Sequence, residues 1–492
     1  MGGLQATAAP TQPSLVRNTL YLTLAQAVTI PISVATNALV GRYLGAAAFG
    51  YLYFATTLCT FAVLGLEWGQ QGAVPALISR DRSQAGAYLG TSLAWRCLIA
   101  LPIASIVALI CWLGGYGTGV LWAVGLSFPL SLLNSCAAGY KDAIRGFERT
   151  DIPSLAHVAQ QFLGLLVVIP VLTLGGHMRA FLLSHTVVAL FIVIYLHRTL
   201  RPLGVARLEI RREVVQPLFS IGTPFVFFGL AMVLLPYINA SFLSELVPPE
   251  VVGWYGVSQR LIGLLIFPAS ALIGALYPTL CRLQNEDQDE FVRVSRGSLY
   301  GVALLAIPAA VGCGMFPELG VMIFGSQEYA GASDHLRVMS LFVFLVYFSM
   351  PLGTAIMADN RARAWTLVQF ICIAVALVGN PLLVPWFQAR TGNGALGTCV
   401  SLVISEALVV VCGILLSRRA VFDRGLAKSI ALACVSGAVM GAVAYFTKPI
   451  SIYLSVVLAS TAYAVVAWFS GAVDAATAAK LKGFVNRKLK RA

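Results

Sequence analysis

Uninterrupted apolar stretches, each long enough to cross a bilayer as a helix, recur along this chain and leave few folds open. The stretch 91–112 shows the pattern, with Arg96 as its single charge. A helix crosses the hydrocarbon of a bilayer in about 20 residues. Apolar runs between polar breaks give fourteen such spans: 18–41, 50–78, 86–113, 119–140, 153–174, 178–197, 215–245, 253–281, 297–318, 334–357, 364–387, 394–416, 425–446 and 449–470. Charged residues make up 11% of the chain, against about 25% in a soluble domain, so most of the surface is expected to meet lipid. Short alternating strands, the mark of a membrane β-barrel, are absent from the sequence. The expected fold is therefore an all-α polytopic membrane protein, because a helix satisfies its own backbone in lipid.

The basic residues test the span count. With the N-terminus placed in the cytoplasm, 26 of the 33 Lys and Arg fall in cytoplasmic segments. Five fall outside (Arg42, Arg179, Arg337, Arg390 and Lys448), and two, Arg96 and Arg260, lie within spans. Such a bias orients helices with the basic side inward; it supports fourteen spans with both termini cytoplasmic, in a plasma membrane. The net charge of +13 lies in short loops and the C-terminal tail, which points to lipid headgroups and away from nucleic acid. The ten cysteines are scattered without a CxxC pair and are expected to be small apolar fillers. No cleavable signal peptide is expected.

An internal repeat organises the spans. Asn37 in NALVGRYLG has a counterpart, Asn239, in NASFLSELV. Pro75 matches Pro278, Pro102 matches Pro308, Arg149 matches Arg361, and Pro170 matches Pro385. The separation grows smoothly from 202 to 215 residues, as loop insertions would produce. Two parallel copies of a six-span unit are expected, plus a helix pair. The resulting division is a tail, 1–14; an N-lobe, 15–200; a C-lobe, 201–420; the pair, 421–472; and a basic amphipathic tail, 473–492. Parallel repeats are a transporter device with the substrate site between the halves.

The 6+6+2 order and the run VATNALVGRYLGAAAFGYLYFATTL, with Arg42, Leu44, Gly45, Phe49, Gly50 and Tyr51, resemble the polysaccharide-transporter, O-antigen flippase branch of the multidrug/oligosaccharidyl-lipid/polysaccharide exporter superfamily. AIRGFERTDIPSLAHV resembles the same branch. The resemblance implies two six-helix lobes around a V-shaped cavity, alternating access by rocking, and a cavity lined by helices 1, 2, 7 and 8 with cationic residues toward a pyrophosphate. It implies a polyprenyl-pyrophosphate-linked oligosaccharide as substrate, and polysaccharide polymerase or assembly proteins as partners. It implies no cofactor, and the sequence contains no GxxxxGK[ST] phosphate loop.

Several residues are candidates for the site. Arginine meets phosphate oxygens with several N–H donors and keeps its charge. Arg260, beside Gln259 in span 8, is expected either at the pyrophosphate or snorkelling to headgroups. Arg96 lies near mid-depth and is expected either to pair with Glu67 inside the N-lobe or to act on substrate or protons. Arg42 closes the outer end of span 1, as a helix cap or as a contact for arriving substrate. Asn37 and Asn239 either bind sugar or hydrogen-bond between helices. Glu406 in span 12 is either a coupling acid or a neutral acid bonded to a neighbouring helix. His157 and His185 lack paired metal-ligand spacing, so no metal is expected.

A flippase for lipid-linked oligosaccharide is the expectation from these features. A cation-coupled multidrug exporter, and a polytopic polymerase or ligase on the same lipids, are its alternatives.

Overall fold

A computed structural model of the chain describes residues 12–472 apart from 206 and 326. The expectations for the N-terminal tail, up to residue 11, and for the amphipathic tail 473–492 lie outside the described residues. Every regular element among the described residues is helical. The order is α1 Gln12–Glu67, α2 Gln70–Arg80, α3 Ala85–Leu113, α4 Thr118–Gly146, α5 Asp151–Thr173, α6 Met178–Leu200 and α7 Val215–Leu246. Then come α8 Pro249–Glu286, α9 Gln288–Met315, α10 Pro317–Phe324, α11 Ala330–Ala358, α12 Ala362–Thr391, α13 Ala395–Leu416, α14 Arg424–Thr447 and α15 Ile452–Phe469.

Fourteen spans map onto these helices. Among the described residues twelve stretches are long and apolar enough to cross a membrane. The first of them, Ala25–Arg80, holds two spans, and the 32-residue α7 completes the set. The chain is thus a multi-pass membrane protein. Within α1 the two spans meet at Gly45, whose φ of 79° and ψ of 170° are open to a residue without a Cβ. This is the glycine of the Arg-x-Leu-Gly turn. The second span breaks again at Trp68 and Gly69, with φ of 42° and 68°, before α2 continues it. The short α10, which the apolar pattern merged into span 9 and the loop after it, is a separate helix.

The chain divides into two compact units, Met1–Glu245 and Leu246–Ala492. The division falls after α7, which by its contacts lies with the first unit. Trp95 meets Phe219 edge-on at 4.6 Å, Trp68 meets it tilted at 6.2 Å, and Phe61 stacks on Tyr237 at 4.5 Å.

The repeat is visible in packing as well as in sequence. α4 and α11 are both 29 residues long and begin and end 212 residues apart. In the first unit α4 packs on α3, α6 and α1, and α6 on α5; in the second, α11 packs on α9, α13 and α8, and α13 on α12. In both units the fourth and fifth helices of the repeat, α4–α5 and α11–α12, touch each other little.

Small residues set the close approaches, as expected where lipid offers no hydrophobic drive between helices. The linker after α6 lies along α3 because Gly86 and Gly90 leave room for its backbone. Glu209 N–H donates to the Gly86 carbonyl at 3.1 Å, and Arg211 N–H to Thr91 Oγ1 at 3.1 Å. α14 seats Gly437 against Ile307 of α9, and a core of Ile307, Ala433, Met440, Ala459 and Tyr463 fixes the final helix pair to the second unit. Lys448 between α14 and α15 donates to Glu318 of α10 at 2.9 Å and to the Met315 carbonyl. Arg337 also meets Glu318, at 2.7 Å. Although burial works against ionisation of Glu318, the Lys448 hydrogen bond and the two nearby cations hold its carboxyl below the usual range.

Candidate functional site

Arg96 is fully buried on α3. Its Nη1 donates to the Ser135 carbonyl of α4. The guanidinium can lie there because Gly139, one turn on, has no side chain; a Cβ at that position would stand 2.7 Å from Nη1. Glu67 ends α1 at the Trp68–Gly69 break, and Ser135 Oγ donates to its Oε1 at 3.2 Å. Arg96 and Glu67 are brought together, but as partners of one serine rather than as a direct ion pair. Arg96 Nε and Nη2 have no hydrogen-bond partner in this buried setting.

The array extends in both directions. Gln70, buried at the start of α2, accepts from Ser92 Oγ of α3 at 2.6 Å. Asp142, on α4 one turn past Gly139, is 2% exposed and bonds Arg145 at 2.9 Å. Around the helix break in the second span lie two carboxylates, three amide or hydroxyl groups and two arginines, all inside the first unit. Burying this much charge is costly unless it is compensated, and intramembrane ionisable groups mark function by default.

A second polar set lies on the facing sides of α4 and α5. Gln160 Nε2 donates to Asn134 Oδ1 at 2.7 Å, and Lys141 Nζ donates to Gln160 Oε1 at 3.4 Å. His157 lies one turn before Gln160 and is exposed. In the sequence the apolar run ends at Tyr140, one residue before Lys141. The helix runs on to Gly146, which places the lysine inside it.

The remaining sequence candidates are dispersed. Arg42 is exposed on α1, three residues before the Gly45 kink. Asn37 Nδ2 donates to the Ser33 carbonyl on its own helix at 2.7 Å. Its repeat mate Asn239 is 2% exposed in α7. On α8, in the second unit, Arg260 is exposed and Gln259 half-buried. Glu406 on α13 accepts from Ser349 Oγ of α11, the bonded-acid arrangement weighed for it.

Sequence reasoning missed a buried polar chain next to Gln259. Ser258 Oγ lies 3.3 Å from His335 Nδ1, His335 Nε2 lies 2.7 Å from Asn393 Oδ1, and Asn393 Nδ2 donates to the Gly331 carbonyl. It joins α8, α11 and the α12–α13 turn. No spacing in the sequence links these residues, which lie up to 135 positions apart. Among the described residues no group of three or more His, Cys, Asp or Glu is placed to hold a metal ion.

Residues 15–284 match the family described as polysaccharide biosynthesis protein. No curated protein matches the chain. Solved structures share its fold. The lipid II flippase MurJ in an inward closed conformation is 11% identical over 92% of this chain and 99% of its own, with a TM-score of 0.74. An inward-facing multidrug resistance transporter of the MATE family, in the MOP superfamily, is 16% identical over 84% of this chain and 99% of its own, with a TM-score of 0.67. A MOP superfamily transporter from Pyrococcus furiosus, whose description notes a binding pocket of reversed polarity, is 16% identical over 82% and 94%, with a TM-score of 0.56.

Proposed function

Because this chain belongs to the polysaccharide biosynthesis protein family, we propose that it is a transporter that carries a polyprenyl-diphosphate-linked oligosaccharide across a membrane. The membership is the observation that carries the reading, since it joins a polysaccharide pathway to a chain made of spanning helices. The shared fold with a lipid II flippase supports it. In this reading the protein lies in the plasma membrane with both termini in the cytoplasm and moves its substrate from the inner to the outer leaflet.

The physics of that task fits the residues. The prenyl tail stays in lipid, and only the charged, hydroxyl-rich head needs a polar route. Arg42, Arg260 and Gln259, with Asn37, supply donors that match phosphate and sugar oxygens, whereas Asn239 is enclosed. Arg96 is fully enclosed, so its part is to shape the first unit through Ser135 and Glu67. Polysaccharide polymerase or assembly proteins are the natural partners. The protein moves its substrate without making or breaking a bond in it.

Purified protein in liposomes, given a labelled polyprenyl-diphosphate oligosaccharide, is expected to deliver it to the opposite leaflet, and Arg260→Ala to slow that delivery. No delivery by the wild type across several glycans and ion gradients would sink the reading. Drug-cation export is the second reading. The buried Asp142 and the half-buried Glu67 and Glu406, all on helices, favour it, and ion-driven efflux of a lipophilic cation in the same liposomes would select it.

A further inference from the structure

The polar set on α4 and α5 sits where a spanning helix should carry none. Lys141 is five residues from the end of α4, about 7 Å along the axis. Asn134 is seven residues deeper, about 11 Å more. Gln160 is nine residues past the start of α5, about 14 Å in. All three are therefore within the reach of the two helices through a bilayer of about 30 Å.

Their faces turn away from lipid. The exposed apolar residues of α5 are Leu155, Phe162, Leu166 and Ile169, which share one stripe at about 100° per residue. His157 and Gln160 fall on the opposite half of the helix by the same count. Lys141 and Asn134 stand seven residues apart on the side of α4 that meets Gln160. Asn134 and His157 are exposed there, and Lys141 and Gln160 half-buried. A polar, accessible face pointing away from lipid marks a water-filled route.

Charge gives the face its sign. Lys141 hydrogen-bonds a neutral amide and makes no ion pair among the described residues, whereas Arg145, one turn on, is held by Asp142. Lys141 is also the only lysine in the first 427 residues, where every other side chain of fixed positive charge is arginine. An ammonium acts as a compact point charge with three rotatable donors, and it suits a mobile phosphate better than a fixed ion pair.

The repeat supplies an independent control. At the 212-residue offset of α4 and α11, Asn134 falls on Val346 and Lys141 on Gly353. On α5 the offset lies between 212 and 215, which sets Gln160 among the apolar Cys372, Ile373, Ala374 and Val375 and His157 within the stretch from Gln369 to Cys372. In the second unit the gap is closed instead: a Cβ at Gly353 would collide with the Trp365 ring, and Trp365 is 8% exposed. The fold does not need the polar face, so its presence in one copy calls for a ligand.

We propose that Asn134, Lys141, His157 and Gln160 form a subsite for the diphosphate and first sugar of the polyprenyl-linked substrate, with Lys141 meeting the phosphate. The amides of Asn134 and Gln160 and the imidazole of His157 meet sugar hydroxyls. This rests on the transport reading above and names a place where the substrate is held.

The test uses the full chain in nanodiscs with an amine-reactive acylating reagent. Peptide mapping reads Lys141 separately from Lys428 and Lys448. The probes are a polyprenyl diphosphate bearing one hexose and the uncharged prenol of the same length. The diphosphate lipid is expected to slow acylation of Lys141 in proportion to the fraction of protein occupied and to leave Lys428 and Lys448 unchanged; the prenol is expected to protect none. Lys141→Ala is expected to weaken binding of the diphosphate lipid roughly tenfold, as for one lost charge-assisted hydrogen bond, and Lys141→Arg to restore most of it. If the wild type binds the diphosphate lipid and Lys141 reacts equally with and without it, the subsite is wrong and the transport reading stands. If the wild type binds no polyprenyl diphosphate, both fall together.

Discussion

The α4–α5 pair and the α11–α12 pair occupy the same place in the repeat, yet one is polar and open while the other is apolar and sealed. In the first, Asn134, Gln160 and Lys141 bridge two helices that barely touch. In the second, Trp365 packs over Gly353, beside Leu352 and Gly413. The deeper layers differ too. The first unit buries Arg96 and Asp142 and half-buries Glu67 along α4, and the repeat mate of Arg96 is Val302, fully buried. One backbone plan has thus been filled twice, once with polar groups that need partners and once with close-packed apolar groups. What the repeat preserves is helix order and length. Chemistry belongs to each copy.

The largest expected effect separates the two buried layers. Arg96→Ala empties a fully buried site and takes the nearby cation from half-buried Glu67, and truncating a large buried side chain costs about 2–5 kcal/mol. Thermal unfolding in nanodiscs should show it, and Glu67→Gln made on top of Arg96→Ala should recover part of the loss. Absence of any recovery would mean that Arg96 acts by packing alone.

Next comes the pair of mate positions. Gly353→Leu is expected to displace Trp365 and cost about 1–3 kcal/mol by overpacking. Lys141→Leu, at the equivalent place, should change stability by no more than about 0.5 kcal/mol and act on substrate binding instead. Equal losses of stability at the two sites would erase the distinction between an open and a sealed gap.

Exchanging polarity two turns deeper sharpens the same contrast. Val346→Asn places an amide in a 9% exposed site and is expected to cost about 1–3 kcal/mol as an unsatisfied polar group. Asn134→Val frees Gln160 in an accessible site and should cost about 1 kcal/mol or less. Chemical denaturation of both variants in one detergent gives the ranking.

The smallest effect concerns the final helix pair, which has no counterpart in the first unit. Glu318 has a depressed carboxyl pKa. Its ion pairs with Lys448 and Arg337 therefore contribute above the ordinary carboxylate range and are lost as pH falls through the depressed value. These groups are partly exposed, so the contribution is about 1 kcal/mol at most. Hydrogen exchange at residues 448–451 should quicken below about pH 4 in the wild type and show no such step in Glu318→Gln.

Much of the fold was legible because lipid imposes a simple code. Apolar length placed the helices: the expected span 86–113 is α3, Ala85–Leu113, and 394–416 is α13, Ala395–Leu416. Departures lie where polar residues extend a helix beyond the apolar run. α9 begins at Gln288, nine residues before its expected start, because Asp287 caps it by accepting from the N–H groups of Asp289 and Glu290. The same blindness hid Lys141, since hydropathy marks the end of an apolar run and not the end of a helix.

The sequence by itself determined the helix order, the repeat and the intramembrane position of Arg96, because each follows from the local balance of apolar and charged residues. Only the tertiary structure decided what those residues meet. It put Ser135 between Arg96 and Glu67, set Lys141 beside Gln160 across two helices, and joined Ser258, His335 and Asn393 over long separations. A hydrogen bond needs two groups within about 3 Å, and spacing along a chain does not fix which helices pack together or how each is rotated. Those are set by small residues such as Gly139 and Gly353, whose importance lies in the neighbour they admit.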